Sequence, residues 1–285
     1  MKPRYVVNVH THLHKGQDIA ARVRLWRECN LRKVCILCMP EYPSGVQRAS
    51  EGLTNEEFLP LLRQYGDIMV GMGALNLFDK CDGPDKVDWL KEHGFTGLKG
   101  IFASRPYNHE AYFPLYARAE ALCMPILFHT GWLASALDGT DGVLGVNADN
   151  YRPYRLDKIA RAFPNLKIIG AHLGKPHAEE ALQMIDAFPN VYYDFSGGSG
   201  KKKHWRWILK ALSPLPGADM ADPSENLALG YLTKLCFATD NPEPPIWLEA
   251  AEHVLDGLQI PDDLRERYYW GNACEVFGWT EADLA

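Results

Sequence analysis

Residues 6–14 read VVNVHTHLH, a short apolar run rich in β-branched residues that ends in histidines. Similar apolar runs recur along the chain, and most of them are continuous instead of alternating with polar residues. Continuous runs are typical of strands that are buried on both faces, as in a parallel sheet. The predicted strands cover residues 4–10, 33–39, 68–76, 97–102, 125–131, 166–174, 191–197 and 235–242.

The segments between these strands have helical patterns. Thr54 is followed three residues later by Glu57, which is the sequence of a capping box at a helix start. Pro84 and Gly94 stand at the beginning and end of the next predicted helix. Eight strands alternating with helices predict an α/β protein, a single-domain (β/α)8 TIM barrel over residues 1–285. A doubly wound open sheet is disfavoured, because no glycine-rich phosphate loop follows the first strand.

The composition is that of a globular protein, with 47% hydrophobic and 23% charged residues. A net charge of -6 gives no electrostatic indication of nucleic-acid binding, and no apolar run approaches the roughly 20 residues of a membrane span. The seven cysteines are scattered and odd in number, and the residues before the first strand leave no room for a signal peptide. We therefore expect a cytoplasmic protein with reduced thiols that binds neither nucleic acid nor membrane. A homo-oligomer is compatible with the sequence.

Titratable residues lie at the predicted carboxyl ends of four strands. His10 and His12 share one face of strand one, because side chains two residues apart in a strand point the same way. His129 ends strand five, His172 ends strand six and Asp240 ends strand eight. In a barrel these ends meet at the rim on which active sites are built. Each residue alone has an ordinary structural interpretation, but together they predict a metal site, since imidazole and carboxylate bind Zn²⁺, Mn²⁺ or Fe²⁺.

Five motifs follow one another along the whole chain: HTH (10–12), FHTG (128–131), AHLG (171–174), ATDNP (238–242) and YYWGNACEVFGW (268–279). In this order they resemble the amidohydrolase superfamily, specifically its amidohydrolase-2 branch, which includes the aminocarboxymuconate-semialdehyde decarboxylases. The resemblance implies that His10, His12, His129 and Asp240 are metal ligands and that His172 acts in acid–base catalysis or polarises the substrate. One divalent metal per chain is favoured over two, with Zn²⁺ the first candidate and Mn²⁺ or Fe²⁺ the alternatives.

The expected activity is that of a metal-dependent hydrolase acting on a small carboxylic ester, lactone or amide through a metal-activated water. Asp240 would accept the proton of that water, and His172 would stabilise the oxyanion or serve as the acid. The alternative is non-oxidative decarboxylation of a carboxylated aromatic or enoic acid. Asn8 stands where some decarboxylases of the branch have an acidic residue, which weakens that alternative. A TatD-like nuclease and a scaffold with a structural metal are further alternatives.

The candidate substrate contacts lie near the same predicted rim. They are Lys99 on strand four, Arg105 and Tyr107 after it, and Trp132 after strand five. They suggest a small-molecule substrate that carries a carboxylate. In binuclear relatives a carboxylated lysine on strand four bridges two metals, so Lys99 has that alternative, and pairing with a buried acid is another.

The longest irregular stretch in the sequence, about residues 198–232, follows strand seven and is predicted to be an active-site loop. Near its start stands GGSGKKKHWRW (197–207), in which three lysines and an arginine lie beside two tryptophans. Such a loop could cover the site and bind an anionic substrate, and a solvated charge run at a helix start is the other interpretation. His14 is expected to have a loop role past strand one. Asp194 ends strand seven and is expected to orient a ligand or to pair with a lysine.

Overall fold

The computed structural model describes residues 3–41, 52–78, 81–133, 146–197, 202–213, 217 and 219–285. Eight strands pair in parallel and in sequential order, each with the next along the chain. They are β1 (Val6–Thr11), β2 (Leu31–Leu37), β3 (Met69–Ala74), β4 (Gly97–Gly100), β5 (Ile126–Phe128), β6 (Ile168–Gly170), β7 (Val191–Asp194) and β8 (Leu235–Cys236).

Helices connect the strands and cover the outside of the sheet. They are α1 (Ile19–Glu28), α2 (Asn55–Tyr65), α3 (Pro84–Glu92), α4 (Phe113–Ala121), α5 (Asp157–Ala162), α6 (Ala178–Ala187), α7 (Lys202–Leu212), α8 (Ala228–Leu232), α9 (Pro244–Gly257), α10 (Asp262–Glu266) and α11 (Asn272–Phe277). Short 3-10 turns and one π-helical turn, Arg267–Gly271, complete the described chain.

Hydrogen bonds between the first and last strand regions nearly close the sheet into a barrel. The Val9 amide donates to the Phe237 carbonyl at 3.0 Å, and the Asp240 amide donates to the His10 carbonyl at 2.7 Å. The predicted (β/α)8 barrel is therefore confirmed. The last strand is shorter than predicted, because the amide of Phe237 bonds to the Tyr268 carbonyl and leaves the ladder.

Residues on the two faces of the strands belong to two separate cores. Val7, Val9, Leu37 and Ile169 belong to one apolar cluster together with residues of the C-terminal segment, such as Val276. A larger cluster fills the space between the strands and the surrounding helices. Every residue of β1 and β3 is buried, as the continuous apolar runs predicted.

Part of the segment predicted to be an irregular loop after strand seven is helical. Residues 202–212 form α7 and residues 228–232 form α8, while Lys201 lies outside the described residues. Helix α7 is amphipathic, and burial of Ile208 and Leu212 on its apolar face stabilises it. The charged residues at its start had favoured a loop in the sequence. Among the described helices, none has the length and apolar character required to cross a membrane.

Candidate active site

The carboxyl ends of the strands surround a cavity of about 710 Å³. All five residues predicted for the metal and for catalysis line it together, from β1 and from the segments after β5, β6 and β8. They are His10, His12, His129, His172 and Asp240. Parallel strands in sequential order place these residues at one rim, although His10 and Asp240 are 230 positions apart along the chain.

His10, His12 and Asp240 form the tightest part of this group. The Nε2 atoms of His10 and His12 each lie 3.6 Å from Oδ1 of Asp240. One ligand atom from each residue falls within 4.8 Å of the others, a separation at which a single divalent ion can contact all three.

Hydrogen bonds orient the three imidazoles so that each keeps one nitrogen free. Nδ1 of His12 donates to the Leu37 carbonyl at 3.0 Å, and Nδ1 of His10 donates to Oδ2 of Asp194 at 2.9 Å. Nδ1 of His172 donates to the Ser196 carbonyl at 3.1 Å. With the hydrogen on Nδ1, each neutral ring has its lone pair on Nε2, as a metal ligand or a general base requires.

Asp194 is the residue that holds this side of the site together. Its Oδ1 accepts hydrogen bonds from the His172 amide at 3.0 Å, the Ser196 amide at 2.9 Å and the Ser196 hydroxyl at 2.6 Å. Its Oδ2 binds His10, so both carboxylate oxygens are engaged. The sequence predicted two roles for Asp194 at the end of strand seven. In the structure it bonds to His10, and no ion pair joins it to a lysine among the described residues.

The electrostatics keep three imidazoles, those of His10, His12 and His129, neutral and the carboxylates charged. Burial lowers the pKa of His12 to about 3 and also lowers the pKa values of His10 and His129. Burial alone would raise the pKa of Asp240, but the neighbouring His172 and His10 outweigh it and lower that pKa. The site therefore combines neutral nitrogen donors with an ionised oxygen donor.

His129 supplies a further nitrogen that the protein leaves unused. Its Nε2 is buried and has no hydrogen-bond partner among the described residues. Its ring lies 5.0 Å from the ring of His172, although it is not one of the atoms within 4.8 Å of the other ligands. An orphaned imidazole nitrogen beside two neutral histidines and an aspartate is a donor set that fits a divalent metal.

Two residues of the site have left-handed backbone conformations that side chains rarely adopt. His172 has φ 61° and Asp240 has φ 59°. His172 therefore lies in a tight turn two residues past the end of β6, not on the strand itself. Such conformations cost about 1 kcal/mol or more and are concentrated at functional sites.

The predicted substrate contacts have different positions. Trp132 lines the cavity with its side chain 68% exposed. Lys99 is fully buried and does not line the cavity, its Nζ has no partner among the described residues, and burial lowers its pKa to about 8. Arg105 is exposed and does not line the cavity. Tyr107 is buried, with its hydroxyl bonded to the His129 carbonyl at 3.0 Å, and it does not line the cavity.

Two cavity residues were not predicted from the sequence. Lys175 follows the turn that carries His172, and His204 lies in the first turn of α7. Their side chains meet, with Nζ of Lys175 2.9 Å from Nδ1 of His204. The basic start of α7 was noted in the sequence, but nothing in it indicated that this one histidine would turn inward.

Comparisons with known proteins agree with the geometry. The model of the amidohydrolase family matches residues 51–279. A search of curated proteins finds no match. A probable 2-pyrone-4,6-dicarboxylic acid hydrolase from Acinetobacter baumannii superposes with a TM-score of 0.62 at 14% identity, covering 96% of this chain and 99% of that one.

Two decarboxylases have similar structures. 2,6-Dihydroxybenzoate decarboxylase superposes with a TM-score of 0.61 at 15% identity over 98% of this chain and 99% of its own. 5-Carboxyvanillate decarboxylase from Sphingomonas paucimobilis gives 0.57 at 15% identity over 93% and 84%. At such identities the likeness is one of fold.

Proposed function

The chain belongs to the amidohydrolase family, and from this premise we propose that it is a metal-dependent hydrolase of small carboxylic esters, lactones or amides. The observation that carries the proposal is the convergence of His10, His12 and Asp240 within 4.8 Å in one cavity, with the orphaned nitrogen of His129 nearby. The probable pyrone dicarboxylic acid hydrolase supports the lactone class, because a 2-pyrone is a cyclic ester.

We propose that His10, His12, His129 and Asp240 hold one divalent metal. Zn²⁺ is the first candidate, since nitrogen and oxygen donors in this number suit it, and Mn²⁺ or Fe²⁺ are the alternatives. When bound, the metal would act as a Lewis acid that polarises a carbonyl group and acidifies water. A single ion is favoured over two, because the hydrogen bonds of Asp194 already engage both of its oxygens.

Two side chains, Asp240 and His172, would carry out the proton transfers of the reaction. Asp240 stays ionised and can accept the proton of the attacking water and return it to the leaving group. His172 has its Nδ1 hydrogen engaged with Ser196, so its Nε2 accepts a proton when neutral and donates to a developing oxyanion when protonated. Both lie in the same cavity.

The test combines elemental analysis with hydrolysis assays on protein purified without added metal. We expect about one zinc, manganese or iron ion per chain, its loss in His12→Ala, and turnover of members of a lactone and aryl-ester panel by the wild type only. His93→Ala is the matched control, because His93 is exposed and bonds only locally to the Trp89 carbonyl. Metal-free protein that still hydrolyses the panel would refute the proposal.

Decarboxylation of a carboxylated aromatic or enoic acid is the second candidate. It is favoured by the two decarboxylases whose structures match this one along most of the chain. A metal held by the same residues could bind a substrate carboxylate or an adjacent hydroxyl group. Release of CO₂ from dihydroxybenzoates, without hydrolysis of any ester or lactone, would select this candidate over the first.

We propose that the protein acts in the cytoplasm on a small molecule. All seven cysteines are free thiols, which suits a reducing compartment. The further expectation that the substrate carries a carboxylate is supported by Lys175, the lysine that lines the cavity.

A further inference from the structure

Lys175 and His204 form a wall of the cavity that the proposed reaction does not use. Nζ of Lys175 donates to Nδ1 of His204 at 2.9 Å, and Nε2 of His204 donates to the Phe195 carbonyl at 3.2 Å. The two hydrogen bonds require one tautomer of the imidazole, with its hydrogen on Nε2. They therefore fix the ring and hold the ammonium group against it.

His204 is a neutral support for this ammonium. Its side chain is 3% exposed, and burial followed by the charge of Lys175 lowers its pKa to about 4. The ring of Trp207 adds a second support, with Nζ of Lys175 5.1 Å from its centroid. Neither partner neutralises the positive charge, which is thus oriented by uncharged groups alone.

No carboxylate balances Lys175 among the residues that the structure describes. The ion pairs found there join other lysines and arginines to acids, and none includes Lys175. An ammonium group has three hydrogens to donate, and His204 takes one of them. The other two are available to a ligand in the cavity that Lys175 lines.

An exposed aromatic ring lines the same cavity, on a loop that is hydrogen-bonded to the backbone of Lys175. The Trp132 amide donates to the Lys175 carbonyl at 2.7 Å, which joins the loops after β5 and β6 at the cavity. The indole of Trp132 is 68% exposed and lines the same cavity. A flat, unsaturated ring could stack on it while a substituent of that ring reaches Lys175.

We propose that Lys175 is a specificity-determining residue that binds a carboxylate of a flat, unsaturated or aromatic substrate, apart from the group that reacts beside Asp240. This inference rests on the proposed function in that it takes the cavity to be the substrate site. The substrate would then be a dianion when its reacting end also carries a carboxylate. His204 is a positioning residue for the ammonium group.

Calorimetric titration of the metal-loaded protein tests the proposal with two probes, benzene-1,3-dicarboxylate and 3-carbamoylbenzoate. The probes have nearly the same shape and differ by one carboxylate. We expect the wild type to bind the dicarboxylate at least about tenfold more tightly, as for a charge-assisted hydrogen bond. Lys175→Met should abolish this preference, and Lys175→Arg should keep most of it.

Lys203→Met is the matched control, because Lys203 is an exposed lysine near Lys175 that does not line the cavity. The proposal is overturned if Lys175→Met keeps the preference, if Lys203→Met loses as much of it, or if the wild type shows none. Lys175→Gln, with folding checked by circular dichroism, replaces Lys175→Met should that variant fail to fold. Binding needs no turnover, so a Lys175-dependent preference in a protein without hydrolase activity would refute the proposed function alone.

Discussion

At the scale of single residues, Gly197 controls the position of His172. Gly197 has φ +96°, and a Cβ added there would lie 2.9 Å from Nδ1 of His172. We expect Gly197→Ala to move the imidazole and to lower kcat at least about tenfold, because small displacements of a catalytic group have large effects. Metal content should not change, since His172 is not among the proposed ligands.

Gly278→Ala separates displacement of the imidazole from backbone strain. Gly278 also has a left-handed conformation, with φ +70°, but a Cβ there meets nothing within 4 Å. The control should lose some thermal stability and keep its kcat. Equal losses of kcat in the two variants would mean that strain, and not the position of His172, limits the reaction.

Asp194 is expected to determine metal affinity without binding the metal. In Asp194→Asn an NH₂ group replaces one of the two carboxylate oxygens. This donor then faces either the Nδ1 hydrogen of His10 or the backbone N–H groups of His172 and Ser196, which are donors themselves. Loss of such support typically weakens metal binding 10–100-fold. Chelator competition measures this affinity.

Ser196→Ala serves as the control for Asp194→Asn, because it removes only the hydroxyl that binds Oδ1 at 2.6 Å. Its metal affinity should stay within a few-fold of the wild type. An Asp194→Asn protein that holds its metal as tightly as Ser196→Ala would show that the His10–Asp194 hydrogen bond is dispensable.

The sequence was informative for residues whose role follows from strand position. His10 and His12 could be assigned because strand periodicity puts both on one face, and Asp240 because it follows an apolar run. The position of His204 in the cavity could not be predicted, because its inward orientation depends on how α7 packs over the barrel. The burial of Tyr107 could not be predicted either, because it depends on the packing of its ring against Phe128 of β5.

At the scale of elements, the capping box of α2 is a local signal that the structure reproduces. The Thr54 hydroxyl accepts from the Glu57 amide at 3.3 Å, and the Glu57 carboxylate accepts from the Thr54 amide at 2.9 Å. We expect Thr54→Ala to lower the free energy of unfolding by about 1 kcal/mol, as for other helix caps. Urea denaturation followed by circular dichroism measures the change.

Thr280→Ala is the control for this cap, because Thr280 forms the same box with Asp283 at the start of a three-residue 3-10 turn. Little structure depends on that turn, so its loss should have a smaller effect. If both variants lost equal stability, the contribution of Thr54 could not be assigned to the eleven residues of α2.

Element boundaries were less predictable than element types. The apolar run 166–174 suggested one strand, but β6 ends at Gly170 and the chain turns sharply through His172. Apolar patterning reports burial, and residues such as Leu173 are buried whether they lie in a strand or in the turn after it. The apolar pattern therefore extended the predicted strand into the turn that carries His172.

At the scale of the whole molecule, the order of the strands brings the site together. Each strand pairs with the next in sequence, so polar residues placed after successive apolar runs converge on one rim. This convergence is why the same apolar runs predicted both the fold and the side chains that meet in the cavity. The closing contact between the first and last strand regions completes the site, because the Asp240 amide bonds directly to the His10 carbonyl.

The pH dependence of stability follows from His204, which is buried between Lys175, Trp207 and Trp247. Its pKa falls from 6.5 to about 4 on folding, so between these values the unfolded chain binds a proton that the folded protein does not. The buried neutral ring of His204 therefore does not reduce the free energy of unfolding above pH 6.5. Below that pH the free energy of unfolding falls progressively until the pH reaches about 4. Between pH 7 and pH 5 the loss is about 2 kcal/mol.

We therefore expect the free energy of unfolding of metal-free wild type to fall more steeply between pH 7 and pH 5 than that of His204→Gln, by about 2 kcal/mol. Glutamine does not titrate, and its amide oxygen can still accept the hydrogen bond of Lys175. His93→Gln, at an exposed position on the C-terminal side of α3, should follow the wild-type curve. Parallel curves for wild type and His204→Gln in urea denaturation would mean that His204 is protonated as readily in the folded protein as in the unfolded chain. A neutral His204 that accepts the hydrogen bond of Lys175 would then be excluded.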